Sequence, residues 1–157
     1  MKKSFIIATT AFAIVASSVA TPVFADATEN AIKARQSYYT LVGFNFGQLV
    51  AMAKGEAPYD AEAAKKAATN LQSLSTLDLL PLFPAGSDNV AQKGKTRATP
   101  KIWEDFAGVG KIVGDWQGAV STLVSVAGDG QAALAPAVGA VGKQCGTCHE
   151  TYRAKDF

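Results

Sequence analysis

The chain has 157 residues, 48% hydrophobic and 18% charged, with 15 Lys and Arg against 13 Asp and Glu. That is one domain's worth of polypeptide, and so even a charge balance excludes the basic signature of a nucleic-acid or anionic-membrane binder. Two cysteines and one histidine leave few ligand sets for a metal.

Met1 to Ala25 reads as a secretory signal, with Lys2 and Lys3 as the basic start and Phe5 to Val19 as the apolar stretch. Val23-Phe24-Ala25 supplies a small-residue cleavage site. Ser17, Ser18 and Pro22 interrupt the run and no basic stop flank succeeds it, which disfavours a membrane anchor. Cleavage leaves residues 26–157 as a single domain. Losing Lys2 and Lys3 takes Lys and Arg from 15 to 13, equal to the 13 acids. A periplasmic protein without a membrane anchor is the expectation.

Helical spacing dominates the chain beyond Ala25, and alternating β-branched runs are scarce. The first helix is predicted from about Thr28 to Lys54, stopped by Gly55, with Ile32, Tyr39, Val42, Phe46, Leu49 and Val50 as its inward stripe. Leu41 and Phe44 lie off that stripe and belong either to a dimer interface or to a crowded core. Asp60 reads as the N-cap of a second helix through about Leu77, which buries Leu71, Leu74 and Leu77. Leu79 to Arg97, broken by Pro81, Pro84, Gly86 and Gly94, reads as a long irregular crossover.

Thr99-Pro100 is a helix start, an N-cap followed by proline at the first helical position. The third helix should run to Gly128 and carry Ile102, Trp103, Phe106, Val109, Val113, Trp116 and Val120 inward. Asp129 is the expected cap of a fourth helix to about Ala154, in which Pro136 implies a kink or a later start. Two short turns and one long crossover between helices two and three make an all-α, antiparallel four-helix bundle.

The last helix carries Cys145-Gly146-Thr147-Cys148-His149. Cys-x-x-Cys-His is the attachment signature for a c-type haem, and its i, i+3, i+4 spacing puts all three side chains on one helical face. A zinc site normally needs four ligands, and a redox dithiol follows a strand that is not evident here. One covalently attached haem c, with His149 as iron ligand, is the reading. Bis-histidine ligation is impossible with one histidine. Met52, thirteen residues beyond Tyr39, sits about 20 Å further along the first helix at 1.5 Å per residue, and reads as core.

An antiparallel bundle sets the start of helix one beside the end of helix four, so Arg35, Tyr38, Tyr39 and Val42 should face the haem. Tyr39 reads as a lid or hydrogen-bond donor on the distal side, or as a plain core aromatic. Arg35 either neutralises a haem propionate or is a solvated surface residue. Arg153 lies beside the proximal histidine or simply caps a solvated helix end. Trp103 and Phe106 pack either on the porphyrin or in ordinary bundle core.

The Cys145-x-x-Cys148-His149-x-x-Tyr152-Arg153 run resembles the cytochrome c′ family. So do Arg35-Gln36-Ser37-Tyr38-Tyr39, Ala51-Met52-Ala53-Lys54-Gly55, Leu82-Phe83-Pro84 and Ile102-Trp103, all in family order. The resemblance implies a periplasmic homodimer whose high-spin, mostly five-coordinate haem binds NO and often CO. It implies thioethers at Cys145 and Cys148, the proximal ligand at His149, a distal-pocket residue at Tyr39 and a propionate-side residue at Arg35. Arg153 matches a proximal basic residue implicated in NO chemistry. A simple electron carrier serving redox partner proteins is the alternative. Enzymatic activity is not expected, since no distal histidine exists to serve a peroxidase as acid–base.

Overall fold

The computed structural model describes residues 22–157, with side chains from Ala27 onward. The predicted signal at Met1 to Ala25 therefore lies almost wholly outside the described residues. The described chain is all helical apart from one isolated bridge, between Ala98 and Arg153. Helix α1 spans Pro22–Lys54, α2 Ala61–Ser75, α3 Lys101–Glu104, α4 Phe106–Val126 and α5 Gln131–Tyr152, with one 3-10 turn at Leu80–Leu82. Helix α1 packs on α2 and α5, and α4 packs on the same two, which closes the ring of a four-helix bundle.

Local signals explain most boundaries. Asp60 caps α2 by accepting from the Ala63 N–H at 2.9 Å. The other end of that helix differs from expectation. It stops at Ser75, and Leu77 lies beyond it, 54% exposed, because the chain has already turned into the crossover.

The third helix is two helices. Asp105 leaves the α region (φ −136°, ψ 57°) and caps α4, its Oδ1 accepting from the Gly108 N–H at 2.9 Å. Thr99 does not act as a cap: Pro100 holds the N-cap position of α3, and the Thr99 hydroxyl is buried without a hydrogen-bond partner. The break resets the helical phase, so Phe106 leaves the inward stripe and is 50% exposed. Nor does Asp129 cap α5. Gly130 takes that position at φ 103°, a left-handed conformation that only glycine adopts at low cost. Pro136 sits inside α5 on its exposed side, where a missing N–H costs least.

The core fills the end of the bundle away from the crossover. Leu49 and Met52 of α1 pack with Ala64, Ala67, Ala68 and Leu71 of α2, Val120 and Leu123 of α4, and Leu134 and Val141 of α5. Three alanines on the buried face of α2 admit close helix approach. Tyr59 ties two turns there, its hydroxyl donating to Ala127 O at 2.9 Å and accepting from the Gly130 N–H at 3.0 Å. The crossover lies across the opposite end, where α1 begins and α5 ends. There Lys95 bonds Glu29 at 2.9 Å and the Thr99 N–H donates to Tyr152 O at 3.0 Å.

Candidate haem site

At the crossover end the helices part around a cavity of about 870 Å³, within the ordinary range for a cofactor site. Helix α1 contributes Tyr38, Tyr39, Val42 and Phe46. Helix α4 gives Ile112, Val113 and Trp116, and the crossover Leu79 and Phe83. Cys145, Cys148 and His149 of α5 line the same cavity. Two thiols and an imidazole on one helical face, opposite apolar and aromatic walls, are the donor set and surroundings that a covalently attached haem requires. The thiols are free, and burial raises both above the usual thiol range.

His149 is pushed below its ordinary value, first by burial and then by the positive charges of Arg153 and Arg97. A neutral imidazole is the form that ligates iron. Arg153 Nη1 lies 3.3 Å from His149 Nδ1. An arginine can only donate, so this contact makes Nδ1 an acceptor and puts the ring proton on Nε2.

Tyr39 lines the cavity and keeps 47% of its surface, since its ring faces that open space. It meets Tyr38 edge-on, with ring centroids 5.0 Å apart. Burial of the hydroxyl, then the nearby Cys148, raises Tyr39 above the tyrosine range, so it is a neutral phenol at physiological pH. Tyr38 is buried, donates to Leu74 O at 3.2 Å, and is pushed by burial up to about 12. In the unfolded chain a tyrosine ionises near pH 10, so between about pH 10 and 12 only the unfolded state has lost this proton. Stability is intact below pH 10 and falls as pH rises through that window. In the haem-loaded protein, Tyr38→Phe should lose about 1 kcal/mol less than the parent between pH 9 and 11, as measured by urea unfolding.

Arg35 borders the cavity yet is 4% exposed, so the solvated reading is corrected. Its Nη1 donates to Leu82 O and Ser87 Oγ, both at 3.1 Å, and its Nη2 to Ser87 O and Thr96 Oγ1, both at 2.8 Å. The guanidinium also lies 4.6 Å from the Phe83 ring centre. Only the Nε hydrogen is left for a haem carboxylate, so the bidentate fork is occupied by the crossover.

Trp103 and Phe106 are not among the residues that line the cavity. Trp103 instead supports Phe83, donating its indole N–H to Phe83 O at 3.1 Å. Asp105, Arg97 and Phe157 escaped sequence reasoning. Asp105 accepts the Tyr152 hydroxyl on Oδ2 at 2.7 Å, which clamps the end of α5 to the start of α4. A Cβ on Gly108 would collide with that carboxylate and with the hydroxyl, so this close approach needs glycine. Arg97 and Phe157 line the cavity beside His149 and Arg153. Each such contact joins residues about fifty apart in an irregular region, where no periodicity betrays them.

The family model for cytochrome c′ matches residues 30–153. The chain belongs to the cytochrome c′ family. It is 43% identical over 127 residues to a cytochrome c′ of Cereibacter sphaeroides, covering 81% of this chain and 85% of that one. It is 40% identical over 149 residues to a cytochrome c-554 of the same organism, covering 93% and 97%. A solved cytochrome c′ from Rhodobacter sphaeroides superposes with a TM-score of 0.80 at 43% identity, covering 82% of this chain and 98% of that one. A nitric oxide complex of a variant cytochrome c′ from Alcaligenes xylosoxidans superposes with a TM-score of 0.70 at 34% identity, covering 82% and 97%. Cytochromes c′ are haem c proteins, which agrees with the paired thiols and histidine of this cavity.

Proposed function

We propose that this cytochrome c′ works in the periplasm as a non-enzymatic binder of NO, and of CO where the distal side admits it. The carrying observation is the α1 wall that faces the cysteine–histidine helix: Tyr39, Val42 and Phe46, with neither histidine nor methionine among them. The sequence's one histidine is His149, and Met52 is buried in the core at the far end of the bundle. Haem bound through Cys145, Cys148 and His149 supplies a five-coordinate iron able to take a diatomic ligand. Tyr39, held neutral, supplies a lid and a hydroxyl donor rather than a ligand.

On the His149 side, an iron held through Nε2 would leave the imidazole proton on Nδ1, the atom 3.3 Å from Arg153 Nη1. Ligating histidines usually donate that proton to a carboxylate or carbonyl, which strengthens them as ligands. Arg153 cannot accept it and must swing aside. His149 would then lack the acceptor that strengthens a ligating imidazole, and would hold a haem iron less firmly. The Alcaligenes relative forms a nitric oxide complex, which supports NO as a ligand here.

The signal-like start supports export. Among the described residues no helix is long and apolar enough to cross a membrane. Leu41 and Phe44, one turn apart on α1, are 52% and 67% exposed, so the crowded-core reading falls and a homodimer interface is the reading we adopt. Electron exchange with redox partner proteins is the second reading, favoured by the exposed position of His149 and Arg153 at the cavity rim. The direct test is titration of the ferrous, haem-loaded protein with NO, followed by absorption. Saturation at one NO per chain is expected, whereas a spectrum that ignores NO would refute the proposal.

A further inference from the structure

The wall of the cavity beside His149 includes a strap. Residues 153–155 turn back from α5 and lie antiparallel to Arg97–Ala98 of the crossover, joined by the bridge between Ala98 and Arg153. The Ala154 N–H donates to Arg97 O at 2.8 Å. Arg97 returns the contact with its side chain, Nε donating to Ala154 O at 2.7 Å and Nη2 donating to Lys155 O. The root of the strap is thus fixed on both sides of Ala154. Its far end is different. Phe157 is 72% exposed yet lines the cavity, and its ring centre is 5.9 Å from the Arg97 guanidinium carbon. That separation is at the outer limit of a cation–π contact, about 6 Å, so the ring is held weakly.

We propose that Phe157, positioned by Arg97, is the gate through which a diatomic molecule reaches the His149 side of the cavity. The inference rests on the NO-binding reading and extends it. With the strap bonded at Ala154 and the Phe157 ring in only a weak contact with Arg97, the ring swings about its own side-chain bonds without unfolding the bundle. The tip shares the cavity wall with His149 and Arg153, so its swing opens or covers that face. Tyr39 lines the same cavity from α1, so the two positions are separable by mutation. Phe157 sets access from the histidine side, while Arg97 acts through it as a positioning residue.

The test is stopped-flow mixing of ferrous, haem-loaded protein with NO, resolving the phase of first NO binding from the later phase, its rate rising with NO concentration, in which NO entering on the His149 side displaces that residue. Phe157→Ala should speed the second phase by about two- to fivefold and leave the first unchanged. Phe157→Trp should slow the second phase. Arg97→Ala should speed it in the same way and raise hydrogen exchange at the Ala154 amide about tenfold. An unchanged second phase in Phe157→Ala, or an equal change in both phases, would overturn the gate alone. So would unchanged exchange at Ala154 in Arg97→Ala. Parent protein that never loses the His149 bond to NO would overturn the histidine-side reading and the gate together.

Discussion

Replacing Arg35 by alanine should destabilise the haem-loaded protein by about 3–4 kcal/mol and lower its Tm by roughly 10 °C. The guanidinium is buried, has no carboxylate partner among the described residues, and spends all four of its Nη hydrogens on Leu82 O, Ser87 Oγ, Ser87 O and Thr96 Oγ1. Ser87 and Thr96 are themselves buried, so truncation strands acceptors that water reaches poorly. It also removes the cation stacked on Phe83, a cavity-wall residue. Lysine carries three donors on a point charge and cannot reproduce a planar fork, so Arg35→Lys should fall between parent and alanine. Denaturant unfolding followed by circular dichroism measures both. A loss below about 1 kcal/mol, as for a surface arginine, would show that the crossover does not depend on this side chain.

The second large effect is kinetic. Tyr39→Ala should raise the CO association rate of the ferrous protein roughly 10- to 100-fold. To admit a ligand, Tyr39 must leave its rotamer, at about 1 kcal/mol, and give up its edge-on contact with Tyr38, at about 0.5–1.5 kcal/mol. A barrier of about 2 kcal/mol slows entry some 30-fold, and alanine removes it. Tyr39→Phe retains the ring and should leave entry nearly unchanged. It should still shift the C–O stretch if the phenol donates to the bound ligand. Flash photolysis measures the rates, and an unchanged rate in Tyr39→Ala would remove Tyr39 from the gating role.

How much of this was legible in the sequence divides by the kind of contact. The four long helices follow from apolar spacing, and adjacency of the α1 start to the α5 end follows from antiparallel connection. Together these put Arg35, Tyr38, Tyr39 and Val42 on the cavity wall with Cys145 and His149. What failed were phases and caps. Asp105 is indistinguishable in sequence from an acidic residue on a helix face. It breaks the helix because one oxygen caps Gly108 while the other accepts from Tyr152, forty-seven residues away. That break turned Phe106 outward. Gly130 outcompeted Asp129 because the turn needs a positive φ.

Arg35 shows the same limit for function. Its position and charge suggested a partner for a carboxylate, but a partner drawn from an irregular crossover leaves no periodic trace. Ser87 and Thr96 looked like loop residues, and only the folded chain makes them acceptors. Arg97 and Phe157 were invisible for the same reason, since the strap that joins them is one short bridge between segments more than fifty residues apart.

The most direct test of the central claim is a resonance Raman spectrum of the ferrous, haem-loaded protein before and after NO is added. An iron held by His149 alone, with no sixth ligand from this chain, predicts five-coordinate, high-spin marker bands that change on adding NO. A six-coordinate, low-spin spectrum in the absence of NO would show that a side chain fills the distal position, and would contradict the gas-binding account in favour of electron transfer.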